Sequence, residues 1–258
     1  MILFLAGTSD ARALAIHLRN QGYPLLATVV TESAADSLRE YNISYHVGRL
    51  TEDDMKGLIA KHELHVVLDA SHPYAEEASK TAMAAAKACG IPYIRYERPK
   101  EQYHSALITE VNSYEEAAKL AQNHKGTIML TTGSKTLDIF TKYLKKDDIR
   151  LVCRMLPNKE NMEKCDRLGI KQKDIIAIQG PFSHSLNQSL YEQYEVTLMI
   201  TKESGKVGSV DEKMTAAIKL GIPIILIKRP SIHYENYCTH FDEVTHLLGG
   251  FVNGKHEL

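Results

Sequence analysis

Leu68-Asp69-Ala70-Ser71-His72-Pro73-Tyr74 sets a carboxylate, a hydroxyl and an imidazole at the end of an apolar run. Parallel sheets bind their ligands at the carboxyl ends of the strands, so Ser71 and His72 are expected at a site rather than in packing. A histidine there can carry a proton; the alternative is a cap on the following helix. Half a chain later, Ile200-Thr201-Lys202-Glu203-Ser204-Gly205 ends a second apolar run in the same manner. Lys202 at that position can pair with a substrate carboxylate or donate a proton, and is otherwise a solvated loop lysine. His72 and Lys202 are the two candidate catalytic residues.

Leu5-Ala6-Gly7-Thr8-Ser9-Asp10-Ala11-Arg12 joins an apolar run to a helical pattern through a glycine turn. Such a turn offers backbone N–H groups and a helix N-terminus to a phosphate. One glycine of Gly-x-Gly-x-x-Gly is present, so an ordinary turn capped by Ser9 or Asp10 stays open as the alternative. Thr131-Thr132-Gly133-Ser134 repeats the turn in the second half, either for part of a nucleotide or as a fold element without a ligand. Arg98-Pro99, Arg154-Met155-Leu156-Pro157 and Arg229-Pro230 put basic side chains near strand ends, where they can meet anions. Gly180-Pro181-Phe182-Ser183 forms a rigid turn with Ser183 as a helix cap.

The elements that hold these residues follow from hydrophobic periodicity. Strands are expected over 2–6, 25–30, 44–47, 66–70 and 91–95, with helices over 10–20, 34–41, 53–61 and 75–89. The second half repeats the alternation, with strands over 127–131, 150–153, 175–178, 196–200 and 222–227. Its helices are expected over 137–145, 159–168, 186–194 and 212–220. This pattern predicts βαβ units and parallel sheets. Gly90-Ile91-Pro92-Tyr93-Ile94-Arg95-Tyr96-Glu97-Arg98-Pro99 returns as Gly221-Ile222-Pro223-Ile224-Ile225-Leu226-Ile227-Lys228-Arg229-Pro230, which marks an internal repeat. The fold class is therefore α/β, with two Rossmann-like parallel-sheet halves at 1–110 and 111–258, the first binding a dinucleotide. The substrate is expected in a cleft between them. Pro92 and Pro223 fall one residue into each half's last strand.

The 258 residues suffice for two domains, and 44% hydrophobic with 24% charged residues describes a globular chain. A formal charge of −1 gives no general attraction to nucleic acid or an anionic membrane. Cys89, Cys153, Cys165 and Cys238 lack metal-site spacing and read as reduced, mostly buried thiols, which suits a cytoplasmic protein. The apolar opening, Met1-Ile2-Leu3-Phe4-Leu5-Ala6, reads as a first buried strand rather than a signal segment.

Together the strings resemble the precorrin-6A reductase family of corrin-ring biosynthesis. The likeness is carried by Gly7-Thr8-Ser9-Asp10-Ala11-Arg12, Asp69-Ala70-Ser71-His72-Pro73-Tyr74-Ala75, Gly90-Ile91-Pro92 and Arg98-Pro99. In the second half it is carried by Thr132-Gly133, Arg154-Met155-Leu156-Pro157, Gly180-Pro181-Phe182-Ser183, Thr201-Lys202-Glu203-Ser204-Gly205, Lys213 and Arg229-Pro230. It implies hydride transfer from NADH or NADPH to one carbon–carbon double bond of precorrin-6A or its cobalt form, a tetrapyrrole. Cobalt would travel with the substrate, and no flavin or resident metal is implied. The cofactor set would be Gly7, Thr8, Ser9, Asp10, Glu32, Ser71, Thr132 and Gly133. The substrate set would be Arg98, Arg154, Ser183, Ser204, Gly205, Lys213 and Arg229. Two departures stand out: Thr31-Glu32-Ser33 lies where NADPH-using relatives tend to carry arginine, and Ser134 where relatives often have arginine. Glu32 has the spacing of the acid that holds a ribose 2′-hydroxyl, which favours NADH, unless it only begins a helix. A non-catalytic nucleotide- or tetrapyrrole-binding module and a methyltransferase of the same pathway are the alternatives.

Overall fold

The structure, a computed structural model, describes residues 1–99, 104–203 and 211–253. The chain forms two compact units, Met1–Pro99 with Pro230–Leu258, and Lys100–Arg229. The first unit begins with β1 (Ile2–Ala6), α1 (Ser9–Asn20), β2 (Leu25–Val29), α2 (Glu32–Arg39) and β3 (Ser44–Val47). It continues through α3 (Glu52–Lys61), β4 (Val66–Ala70), α4 (Glu76–Ala88) and β5 (Tyr93–Tyr96). The second unit comprises β6 (Ile108–Val111), α5 (Tyr114–Ala121), β7 (Gly126–Leu130), α6 (Leu137–Leu144), β8 (Ile149–Met155), α7 (Lys159–Arg167) and β9 (Ile175–Ala177). It ends with α8 (His184–Gln193), β10 (Val196–Lys202), α9 (Glu212–Lys219) and β11 (Ile224–Ile227). The chain then returns to the first unit with β12 (Tyr237–Cys238) and α10 (Phe241–Asn253).

Each unit is built on a six-stranded parallel sheet, ordered β12-β5-β4-β1-β2-β3 in the first and β6-β11-β10-β7-β8-β9 in the second. These are the same doubly wound order twice. The central strands are buried throughout their length, because helices cover both faces. Polar side chains that must reach a ligand are thereby confined to the strand ends.

The repeated Gly-Ile-Pro string has a local cause. Gly90 and Gly221 follow α4 and α9 with φ of +65° and +69°, the left-handed conformation that closes a helix. Ile91 N–H then reaches back to Ala86 O at 3.1 Å, and Ile222 N–H to Ala217 O at 2.9 Å. The prolines stand just before β5 and β11 rather than inside them, and their carbonyls accept from Val67 and Met199 in the neighbouring strands.

The chain does not divide at 110/111 as the sequence suggested. After β5 it crosses to pair β6 with β11, and after β11 it returns to pair β12 with β5. The sixth strand of each sheet thus comes from the other half of the repeat. Helix α10 completes the first unit: Val244 and Leu248 are fully buried in one cluster with Leu14, Leu18 and Ile94. Leu248→Ala should therefore cost about 2–5 kcal/mol. Urea unfolding of the purified variant measures this, and a loss under 1 kcal/mol would show that α10 is not part of the core.

Candidate active site

The second unit contains a cavity of about 780 Å³ at the carboxyl end of its sheet. Thr131, Thr132 and Gly133 reach it from the turn after β7, Arg154 to Leu156 from the end of β8 and the residues beyond. Ile178 and the 180–183 turn line it after β9, and Lys202 from the end of β10. Asp211, Glu212 and Lys213 come from the start of α9.

Arg154 is the most constrained of these groups. It is 7% exposed, donates to Asn187 Oδ1 at 2.7 Å, and its guanidinium carbon stands 4.4 Å from the Phe182 ring centroid. Among the described residues no carboxylate lies within ion-pair distance of it. Asp211, whose field it feels, lies 3.3 Å from Lys213 Nζ. Burial lowers the proton affinity of Arg154, the cost of holding a guanidinium away from water. Asn187, fully buried on α8, is itself fixed through its Nδ2–H to Ser183 O at 2.8 Å. Ser183 caps α8 as the sequence predicts, accepting from Leu186 N–H at 3.2 Å.

Lys202 shows the same electrostatic pressure. Burial, then the charges of Lys213 and Lys135, push its ammonium down to about 8. Three cations line the cavity against Asp211 and the exposed Glu212. Their field favours an anion, and the apolar surfaces of Met155, Leu156, Ile178 and Phe182 favour a flat organic body beside it.

The first unit arranges its strand ends differently. Arg95 is fully buried and bridges Asp69 Oδ1 at 2.8 Å and Glu97 Oε1 at 2.8 Å. It also donates to Ser71 Oγ and Ser71 O, each at 3.1 Å. Burial opposes its charge, but the fields of Asp69 and Glu97 outweigh that and raise its proton affinity. Asp69 accepts in addition from Ser79 Oγ at 2.6 Å and Tyr93 Oη at 2.7 Å. Ser71 therefore serves to tie β4 to β5. His72 Nδ1 accepts from Tyr74 N–H at 3.2 Å, which leaves the proton of the neutral ring on Nε2.

The glycine turn after β1 packs closely against the turn after β4. A Cβ on Gly7 would stand 3.0 Å from His72 N and 3.3 Å from Ser71 Cα, so glycine lets the two loops touch. Thr8, not Ser9 or Asp10, caps α1 by accepting from Ala11 N–H at 3.0 Å. Ser9 is the first residue of that helix, and Asp10 pairs with Arg98 at 3.0 Å. Glu32 is exposed at the start of α2, behind the Thr31 cap, where a carboxylate complements the helix N-terminus.

Of the residues singled out in sequence, Thr132, Gly133, Arg154, Ser183, Lys202 and Lys213 share the cavity of the second unit. Gly7, Ser71 and His72 meet in the first, and Arg229 forms a buried ion pair with Glu203 at 3.5 Å. Ser204 and Gly205 lie outside the described residues. Asn187 and the Arg95 network were not singled out. Asn187 and Tyr191 share the buried face of α8 at helical spacing, so an amide on that stripe was the available signal.

The family model described as precorrin-6x reductase CbiJ/CobK matches residues 1–249. The chain is 55% identical over 249 residues to a cobalt-precorrin-6A reductase of Priestia megaterium, covering 96% of this chain and 98% of that protein. It is 36% identical over 239 residues to a cobalt-precorrin-6A reductase of Methanothermobacter thermautotrophicus, covering 91% and 78%. Among solved structures it is similar to the CobK precorrin-6A reductase, with a TM-score of 0.79 at 24% identity over 97% of this chain and 96% of that one. That likeness shares the double Rossmann-like fold.

The two buried arginines should respond oppositely to removal of charge. Arg95→Met strands Asp69 and Glu97 away from water and should cost about 3–5 kcal/mol. Arg154→Met removes an un-neutralised buried charge at the expense of one amide hydrogen bond, and should change stability by less than about 1 kcal/mol. Denaturant unfolding without ligand compares them; equal losses would make Arg154 a structural cation like Arg95.

Proposed function

The chain belongs to the precorrin-6x reductase family, and we propose that it saturates one carbon–carbon double bond of cobalt-precorrin-6A in cobalamin biosynthesis. The cobalt form is favoured because the relatives at 55% and 36% identity carry that name. A bound nicotinamide supplies the hydride. The observation that carries the reading is the cationic cavity with Lys202 at its strand end.

The reaction adds a hydride to one carbon and a proton to its neighbour, while the dihydronicotinamide is oxidised. Lys202 fits the proton's role. Held at about 8, its ammonium is still the main form at neutral pH, yet releases a proton more readily than an ordinary lysine. Having given it to the ring carbon, the amine regains one from water. Lys213, anchored beside Asp211, keeps Lys202 in this range by repulsion and adds attraction for ring carboxylates. His72 is the second candidate donor, through Nε2–H. Anaerobic incubation with cobalt-precorrin-6A and reduced nicotinamide tests the reaction: a product heavier by two hydrogens is expected, and an unchanged macrocycle would refute it.

Lys202→Met should lower kcat by about 10²–10⁴-fold if the ammonium gives the proton in the transition state. The wild-type kcat/KM should also fall as pH rises through about 8, where Lys202 of the free protein loses its proton, and the variant should lack that limb. Stopped-flow turnover across pH 6–10 reads both; a raised KM with unchanged kcat would instead make Lys202 a ground-state carboxylate ligand.

A further inference from the structure

Repulsion from Lys213 and Lys135 bears on Lys202, and each of these two lysines is held by a side chain that does not line the cavity. Lys135, exposed on the turn after β7, has its carbonyl bound by Lys164 Nζ of α7 at 3.0 Å. Lys213, in the first turn of α9, has its carbonyl bound by Tyr191 Oη of α8 at 3.1 Å. Asp211 steadies the same lysine from the helix cap, accepting from its N–H at 3.2 Å and standing 3.3 Å from its Nζ.

Tyr191 is 1% exposed and lies one turn beyond Asn187 on the buried face of α8. Its hydroxyl also touches Met199 Sδ at 3.2 Å, and Met199 stands three residues before Lys202 on β10. One oxygen thus joins the strand that carries Lys202 to the helix turn that carries Lys213. Phenylalanine would fill the space of the ring, so what tyrosine adds is this junction. A hydroxyl buried at that depth needs a partner, and Lys213 O provides it. Burial pushes the phenol up, so it remains a donor throughout the range in which Lys202 titrates.

The charges around Lys202 come from several elements: Arg154 from β8, Lys135 from the turn after β7, and Asp211, Glu212 and Lys213 from the start of α9. Glu203 follows Lys202 in the chain and pairs with Arg229. Among these charges Lys213 has the largest effect on Lys202. Coulomb repulsion falls with separation and with exposure to water, so its size depends on where α9 begins.

We propose that Tyr191 is a positioning residue of the reduction: its hydroxyl fixes the first turn of α9 against β10 and keeps the Lys213 ammonium at the wall of the cavity that Lys202 also lines. The inference rests on the reading of Lys202 as the proton donor. Without the hydroxyl, Asp211 and Lys213 relax toward water as a pair, and Lys202 keeps its proton to higher pH. It is then a weaker acid, the opposite of what proton delivery requires.

Competitive acetylation of Lys202 across pH 6–11, read by mass spectrometry on the full chain without macrocycle or nicotinamide, measures its protonation directly. The wild-type midpoint should lie at about 8. Lys213→Gln should raise it by about 0.5–1 unit, the effect of removing one like charge from a partly screened site. Tyr191→Phe should raise it by about half as much, with near-UV circular dichroism as in the wild type. In the double variant Tyr191→Phe should add nothing to Lys213→Gln, because the hydroxyl acts through Lys213. A midpoint unchanged in Tyr191→Phe would overturn the proposal and leave the hydroxyl as a satisfied core group. A further rise in the double variant would overturn it as well, since the hydroxyl would then act on Lys202 by another route. In turnover the alkaline limb of kcat/KM should move upward in Tyr191→Phe by the same interval as the labelling midpoint. A midpoint that moves while the limb stays would take Lys202 out of the proton's path; that overturns the reading beneath the proposal, with the hold of Tyr191 on Lys213 intact.

Discussion

The hydrogen bonds from Arg95 N–H to Asn236 O and from Glu97 N–H to Cys238 O close the first sheet with backbone from the far end of the chain. Their counterparts, Ile224 N–H to Leu107 O and Lys228 N–H to Val111 O, close the second. Without these pairings β5 and β11 would be edge strands with unpaired backbone groups. The exchange also fixes chemistry. Tyr234, on the returning segment, lies over the Arg95 guanidinium at 5.6 Å and stacks on Tyr93 at 6.2 Å. The polar cluster at the ends of β4 and β5 is thus sealed by residues that the repeat assigns to the other half.

Most of the alternation was legible because each element carries its own signal. Helix α3 has a capping box at Thr51 and Asp54, and Gly90 and Gly221 are left-handed stops that repeat with the fold. The exchanged strands were not legible. Strand β12 spans two residues, too few for a period-2 pattern, and its partner is decided by packing rather than by its own string. Strand β6 and helices α5 and α10 fell in stretches to which the alternation assigned no element, because a repeat aligned by its glycine turns says nothing about which sheet receives the last strand. The cap on α1 shows a smaller limit. Thr8, Ser9 and Asp10 are all competent, and only the backbone entry angle selects Thr8.

The candidate site was legible in its residue types and obscure in their partners. Arg95, Arg154 and Arg229 all sit at or near strand ends, and sequence singles out two of them as alike in meeting anions. Glu97 lies two residues beyond Arg95 on the same strand face, a partner that alternation makes visible. The corresponding residue after Arg154 is Leu156, exposed and apolar. Glu203 reaches Arg229 from the adjacent strand, a pairing that requires the β10–β11 register. What separates the three arginines is the presence of a second buried charge, and long-range packing supplies it to Arg95 and Arg229.

The order of strands across the second sheet has a consequence for how the cavity works. Arg154 belongs to β8 and Lys202 to β10, and they flank β7 with its open glycine turn. Two strand spacings separate their strands, about 10 Å. From β8 to β10 the groups run from a buried guanidinium, past the turn after β7, to a lysine of lowered proton affinity. The cations also act on one another. Burial first, then repulsion from Lys213 and Lys135, depresses Lys202, and an anion bound among the lysines would cancel part of their field and raise its proton affinity. A bound anion would therefore leave Lys202 with a higher proton affinity than it has in the free protein.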